Sequence, residues 1–228
     1  QVWKLSLEGG EPTQVTKSPI DVDSFVMSRD RSMIAFAAET FADCDTLDCT
    51  RKRLDEKAKS KASGRLYDQL FIRHWDTWKD GRRAHLFVTK VTGGPIVDVT
   101  KKLAADAPTK PFGGSEEFTF TPDGKSLVFT ARDVGKAEAW STDLDLFVTP
   151  VDGSKAPTKL TTGNRATDTQ PVFSPDGTQL AYLAMSRPGY EADKLRVVVR
   201  DWAKGTERSI TDAWDRSPNE LVWSADSR

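Results

Sequence analysis

Hydrophobic positions along the chain fall into short runs separated by polar turns. In PVFSPDGTQLAY, Pro171 to Tyr182, two such runs carry Val172, Phe173, Leu180 and Tyr182 on either side of Ser174-Pro175-Asp176-Gly177. Proline presets φ for the second position of a type I turn, aspartate tolerates the third, and glycine takes the left-handed conformation that closes a short hairpin. The pattern predicts a strand, a tight turn and a returning strand, with the two-residue period of half-buried strands. EFTFTPDGKSLVF, Glu117 to Phe129, is a near copy. Two degraded copies follow the same alignment. FVMSRDRSMIAFAAE puts Met27, Asp30, Ile34 and Phe36 where Phe173, Asp176, Leu180 and Tyr182 stand, and LVWSADSR does so with Trp223 and Asp226. Arg31 and Ser227 then fall where glycine is cheapest, at a backbone cost on the order of 1 kcal/mol each.

A second repeat is interleaved with the first: a hydrophobic strand, a glycine-containing turn, and a short strand ending in threonine. It reads VWKLSLEGGEPTQVT, LFVTKVTGGPIVDVT, LFVTPVDGSKAPTKLT and LRVVVRDWAKGTERSIT. Hairpin plus hairpin makes a four-stranded antiparallel unit. The spacing is 53 residues from Phe120 to Phe173 and 50 from Phe173 to Trp223, but 93 from Met27 to Phe120, which implies an insertion. Repeats of roughly 40 to 50 residues with four short strands each predict an all-β fold, a β-propeller, in which a blade buries its faces against its neighbours. A β-sandwich with similar turns is the alternative.

The expected layout is the outer half of a blade at 1–16, blades at 24–100, 117–162 and 170–211, and the start of another at 220–228, with the insertion at 39–83. Three blades and two fragments fall short of the four to eight that close a ring, so a partial propeller belonging to a longer protein is expected. Up-and-down connectivity would put the tight turns on one plain face. The insertion and the loops KKLAADAPTKPFGGSEE, DVGKAEAWSTD, TGNRATDTQ and SRPGYEAD would then gather on the other, where binding usually sits.

Within the insertion, CTRKRLDEKAKSKASGRLYDQLF predicts a charged helix capped near Thr50, with Leu54 and Ala58 on one side, ending near Gly64. Asp55 and Glu56 interrupt its basic run and no aromatic ladder accompanies it, which favours a solvated helix over a nucleic-acid surface. The following segment crowds Arg73, His74, Trp75, Asp76 and Trp78 together. These tryptophans either pin the insertion to its blade or meet substrate.

Charge and composition narrow the partners. Of 228 residues, 34 are acidic and 33 are Lys or Arg, so no charge excess draws the chain to nucleic acid or an anionic membrane. No apolar run approaches the roughly 20 residues of a membrane span, and QVWKLSLEGG does not read as a signal peptide. Cys44 and Cys49 lie in a polar loop with neither histidine near them in sequence, which suits a local disulfide better than free thiols or a metal, and would imply an oxidising compartment. No Gly-x-Ser-x-Gly elbow, phosphate loop, calcium loop or metal-ligand cluster occurs, and no histidine follows His85. No catalytic residue and no cofactor is therefore expected in the chain.

The turn repeat resembles those of the Tol translocation propeller and of the propeller domain of prolyl oligopeptidase family serine peptidases. Three stretches, RHWDTWKDGRRAHLFV, FGGSEEFTFTPDGKSLVFTAR and EAWSTDLDLFVTPVDG, are similar to the bacterial dipeptidyl-peptidase V and acylaminoacyl-peptidase branch of that family, as is the insertion with its two cysteines. That resemblance implies a secreted or periplasmic exopeptidase whose propeller screens peptides and helps hold their amino end. An α/β-hydrolase domain of the same parent chain, outside these residues, would carry a Ser-His-Asp triad. Glu116 and Glu117 are the acids best placed to receive a peptide ammonium, by analogy with acidic pairs on a related branch; the competing role is loop structure. Arg73, His74 and Trp75 are the other candidate substrate contacts. A non-catalytic Tol-like propeller that binds protein partners is the alternative function, and a homodimer stays open.

Overall fold

The computed structural model describes residues 1–67 and 72–227. Residues 68–71 of the expected insertion and Arg228 of the expected final turn lie outside the described residues. Among the described residues, sixteen strands and one α-helix succeed one another: β1 (Trp3–Lys4), β2 (Thr13–Gln14), β3 (Phe25–Met27), β4 (Met33–Phe41), α1 (Leu47–Lys59), β5 (Arg73–His74), β6 (Thr77–Trp78), β7 (Arg82–Lys90), β8 (Val97–Asp98), β9 (Phe118–Phe120), β10 (Ser126–Ala131), β11 (Asp145–Pro150), β12 (Thr158–Lys159), β13 (Asp168–Phe173), β14 (Gln179–Ala184), β15 (Arg196–Asp201) and β16 (Glu207–Ser209). Three antiparallel sheets of four strands form in chain order, β3-β4-β7-β8, β9-β10-β11-β12 and β13-β14-β15-β16, with two-stranded ribbons β1-β2 and β5-β6. This is the all-β partial propeller of four-stranded blades with a helical insertion that the repeats predict.

The hairpin turns behave as their chemistry requires. Gly124 and Gly177 adopt φ of 69° and 76°, and Arg31 and Ser227 take the equivalent positions at 59° and 65° without being glycine. Each turn is braced by an aspartate: the Ser28 and Ser174 hydroxyls donate to Asp30 and Asp176 at 2.6 Å, and Thr121 does so to Asp123 at 2.7 Å. The turns also touch one another, the first with the third and the third with the fourth. Arg29 donates to the carbonyl of Pro175, and the Asp176 amide donates to the Ser227 hydroxyl at 3.0 Å. A Cβ on Gly177 would stand 2.7 Å from Pro122, so glycine is needed there for clearance as well as for φ.

Two expectations are corrected. The inner strands are not half-buried: Leu127, Phe129 and Ala131 of β10 face a core shared with Ala35, Ala37, Leu86 and Val88 of the first sheet, while Val128 faces Leu180, Tyr182 and Val198 of the third. A sheet stacked between two others hides both faces, so its strand is hydrophobic throughout. The helix has its cap four residues before the expected one. Thr46 is its N-cap, accepting from the Cys49 amide at 3.2 Å, and it ends at Lys59 with Ser60 as C-cap, short of Gly64. Thr50 is instead a buried helical residue whose hydroxyl meets that of Thr40 at 2.7 Å.

Candidate functional site

The loops opposite the tight turns form the candidate site. Leaving β4, the chain runs through the Cys44–Cys49 disulfide, α1 and an exposed stretch, then returns as the β5-β6 ribbon before entering β7. Lys79, just after the ribbon, ties it to the propeller by pairing with Asp106 at 2.7 Å, in the linker between the first and second sheets. Asp106 also accepts from Arg83 at 2.9 Å and from the Ala84 amide at 2.8 Å. Arg83 reaches on to Glu138, in the 3-10 turn Gly135–Ala139, with two bonds of 2.5 and 2.6 Å. Burial alone would push the Asp106 carboxyl up, but Lys79 and Arg83 hold it below its ordinary value. Donating hydrogen bonds to Glu138 raises the Arg83 guanidinium against the opposing effect of its burial. Asp106 thus joins the insertion and the linker to β7 of the first sheet, and Arg83 carries the connection on to the Gly135–Ala139 turn that follows β10.

The linker then turns into β9. Glu117 is 7% exposed, and its carboxylate accepts from the Thr109 amide at 2.6 Å and the Thr109 hydroxyl at 2.8 Å, with Thr169 of the third sheet at 3.5 Å. Burial pushes its carboxyl up to about 7 against the lowering effect of those bonds. A Cβ on Gly113 would collide with this carboxylate and with the Thr109 carbonyl, so the Gly-Gly pair lets the loop wrap its own acid. Glu116 is exposed and accepts from the Gly114 amide at 2.9 Å. The two glutamates are therefore neighbours with different surroundings, one enclosed and one open to solvent.

Trp75 occupies the β5-β6 turn with φ 51° and meets Phe112 of the linker edge to face at 5.4 Å, yet the two stay 69% and 76% exposed. Arg73 lies over the Trp78 ring at 5.7 Å. His74 points the other way, into a small pocket with Asp106, Thr109, Lys110, Arg132 and Glu138. A neighbouring cleft of about 200 Å³ shares His74, Asp106 and Lys110 and is also lined by Glu39 and Trp78. Burial, then the charges of Arg132 and Lys79, hold the imidazole below its ordinary value, so it is neutral at pH 7. Of the residues singled out in the sequence, the structure gathers Trp75 beside the loop that carries Glu116 and Glu117, and His74 beside Thr109, which holds Glu117; Arg73 stacks within its own ribbon.

Sequence reasoning missed Lys79, Arg83, Asp106, Arg132 and Glu138. Arg83 and Glu138 are 55 residues apart and Lys79 and Asp106 are 27 apart, without any motif linking them. Only the stacking of sheets brings them together. Among the described residues no group of three His, Cys, Asp or Glu side chains is placed to hold a metal ion.

No family model matches the chain. Among curated proteins, it is 33% identical over 172 residues to dipeptidyl-peptidase 5 of Porphyromonas gingivalis, covering 74% of this chain and 25% of that protein. It is 31% identical over 188 residues to dipeptidyl-peptidase 5 of Arthroderma otae, covering 75% and 26%. The chain is a homologue of the dipeptidyl-peptidase 5 proteins. The resemblance to that branch is borne out at this level, although the chain spans about a quarter of the length of these relatives. Among solved structures, the tricorn protease matches with a TM-score of 0.54 at 13% identity, over 99% of this chain and 21% of that one. A TolB-like protein of Agrobacterium tumefaciens matches with 0.51 at 19%, over 92% and 54%. These two likenesses establish the fold and nothing further.

Proposed function

We propose that this chain is the propeller portion of a secreted or periplasmic serine exopeptidase of the prolyl oligopeptidase family, releasing dipeptides or acylated residues from peptides. In this reading the propeller admits and positions the peptide for an α/β-hydrolase domain elsewhere in the parent chain. The observation that carries it is the 33% identity to dipeptidyl-peptidase 5. The disulfide supports an oxidising compartment. The peptide's amino end would lie on the loop face, where a carboxylate gives an ammonium charge-assisted hydrogen bonds. Of the two glutamates, Glu116 suits direct contact because it is exposed, while Glu117, occupied by Thr109, suits holding the loop. Trp75 and Phe112 would flank the entering chain.

The test uses the full-length parent protein on dipeptidyl chromogenic substrates, with and without a serine-directed inhibitor. Inhibitor-sensitive release of dipeptides is expected. Glu116→Gln should raise KM about tenfold or more with kcat nearly unchanged, the effect of losing one charge-assisted contact. An active protein whose KM ignores this change would remove Glu116 from the site. A parent protein with no inhibitor-sensitive peptidase activity would favour the second reading, a Tol-like protein-binding propeller, for which the shared fold with the TolB-like protein is the supporting observation.

A further inference from the structure

Glu117 is an enclosed carboxyl with no cation to match it. It makes no ion pair among the described residues, and Lys110, the base next to its partner Thr109, is taken by Asp23 and Glu39. The groups that hold it are neutral: the Thr109 amide and hydroxyl on the linker, and the Thr169 hydroxyl of β13, which itself accepts from Thr130 of β10 at 3.3 Å. All three threonines are buried, and Glu116 beside it adds like charge rather than relief. Ionising a carboxyl in such a place is costly, whereas leaving it protonated is not. The loop above cannot move by itself. Gly113 lies directly on the carboxyl: a Cβ there would stand 2.3 Å from Oε2 and 2.5 Å from the Thr109 carbonyl, which accepts from the Gly113 amide at 2.9 Å. Lifting Gly113 therefore admits water to Glu117, and hydrating Glu117 requires Gly113 to lift. The same loop carries Phe112 and Glu116, both exposed.

We propose that the loop 109–116 is a proton-operated latch, closed over Glu117 while that carboxyl is protonated and loosened when it ionises. The carboxyl titrates near 7 when enclosed and near its ordinary 4.5 when hydrated. The closed loop is therefore favoured fully below about pH 4.5, loses that advantage as pH rises, and is at its loosest above about 7. Other charged groups stand around the latch. His74, Asp106, Lys110, Arg132 and Glu138 face the small pocket beyond Thr109, and Asp168 precedes Thr169 on β13 with its own carboxyl bonded to Asn164. Asp106, Lys110 and Glu138 are ion-paired and Arg132 stays charged throughout, but His74 and Asp168 titrate in the same span, so a neutral residue at position 117 is the control. The effect on substrate rests on the peptide-processing reading, in which Phe112 and Glu116 meet the peptide's amino end; the latch itself does not.

Hydrogen exchange of the parent protein, read by mass spectrometry on peptides spanning 109–117 and corrected for the intrinsic pH dependence of exchange, tests the latch directly. Protection there should fall by about tenfold or more between pH 4.5 and 7, and the β10 and β11 amides should not follow it. Glu117→Gln, whose side-chain oxygen can accept from the Thr109 amide and whose NH2 can donate to the Thr109 hydroxyl, should abolish the fall. Glu116→Gln, which leaves the bonds of Glu117 in place and removes the like charge, should reduce it. A fall of the same size in Glu117→Gln, or flat protection in the wild type, would overturn the latch; should Glu117→Gln not fold, an unchanged fall in Glu116→Gln would do so. On dipeptidyl substrates, the wild-type KM divided by that of Glu117→Gln should rise about twofold or more over the same interval. An unmoved ratio would overturn the role of the latch in substrate binding. A parent protein without peptidase activity would defeat the functional reading, and the exchange experiment would still decide the latch.

Discussion

Arg31 sits at φ 59° in a turn whose counterparts Gly124 and Gly177 sit at 69° and 76°. Its side chain is exposed, so the strain there is backbone strain alone. Arg31→Gly should therefore stabilise the protein by about 1 kcal/mol, read as a higher midpoint of denaturant unfolding. The opposite substitution, Gly177→Ala, meets both the φ of 76° and the side chain of Pro122, and should destabilise by more than that. A different strain is electrostatic. Asp168 is 1% exposed; the Asn164 amide donates to its Oδ1 at 2.8 Å, but Oδ2 has no partner. Burial pushes its carboxyl up to about 6, with Asp145 and Glu207 adding repulsion. Since the folded value lies above the unfolded one, ionised Asp168 opposes folding. Its penalty is absent below about pH 4, grows as pH rises toward 6, and is complete above. Asp168→Asn should raise stability at pH 7 by about 1–3 kcal/mol and flatten the melting temperature between pH 4 and 6. A variant whose pH profile matches the wild type would refute this account.

At the scale of elements, the insertion is held by few contacts, each with a separable effect. The Cys44–Cys49 disulfide closes a loop with a sequence separation of 5 beside the helix N-terminus, so its removal by Cys44→Ser with Cys49→Ser should cost about 2 kcal/mol or less. The loss should appear first as fraying of α1 in hydrogen exchange. Asp106 bears more, because Lys79, Arg83 and the Ala84 amide all converge on it. Asp106→Ala removes the 2.7 Å partner of Lys79 and the acceptor of the Ala84 amide, while Glu138 still holds Arg83, and a loss of about 2–3 kcal/mol is expected in thermal unfolding. The turns were legible in the sequence because Pro, Asp and Gly act locally; Arg31 and Ser227 were found as left-handed positions from alignment alone. The helix start was not. Thr46 and Thr50 are both threonines ahead of a charged run, and only the packing of Thr50 against Thr40 separates the cap from the buried residue. The acid pair was found but its division was hidden, since Glu117 is enclosed by the way its loop folds Thr109 and Gly113 onto it, with Thr169 from 52 residues away at 3.5 Å, and no motif encodes that.

The whole molecule is a stack of sheets in which each packs its faces against its neighbours, with one contact from the first sheet's turn to the third's, and stability should vary along that stack. The second sheet is covered on both sides: Leu127 and Phe129 are fully buried against the first sheet, and Val128 and Leu146 against the third. The third sheet has one face on the second, but its outer face, with Ala181, Leu183, Val197 and Val199, is packed by Leu221 and Trp223 alone among partly covered side chains that include Val172 and Leu195. Trp214, Val222 and Ile210 on that side are 56%, 88% and 50% exposed. Apolar area removed from water stabilises by roughly 25 cal/mol per Å², so the sheet covered twice must be the last to open. Stacked units of this kind approximate a one-dimensional chain of intrinsic and interface terms and need not unfold together. Native-state hydrogen exchange on the isolated chain should accordingly give the greatest protection to the β10 and β11 amides. Those of β15 and β16 should exchange through a smaller opening, with a gap of at least about 2 kcal/mol between the two sets. Trp223→Ala, which removes the indole bonded to the Val172 carbonyl at 3.1 Å, should lower protection in the third sheet and leave the second unchanged. Equal protection in all three sheets, falling equally in that variant, would mean that the stack opens as a single cooperative unit.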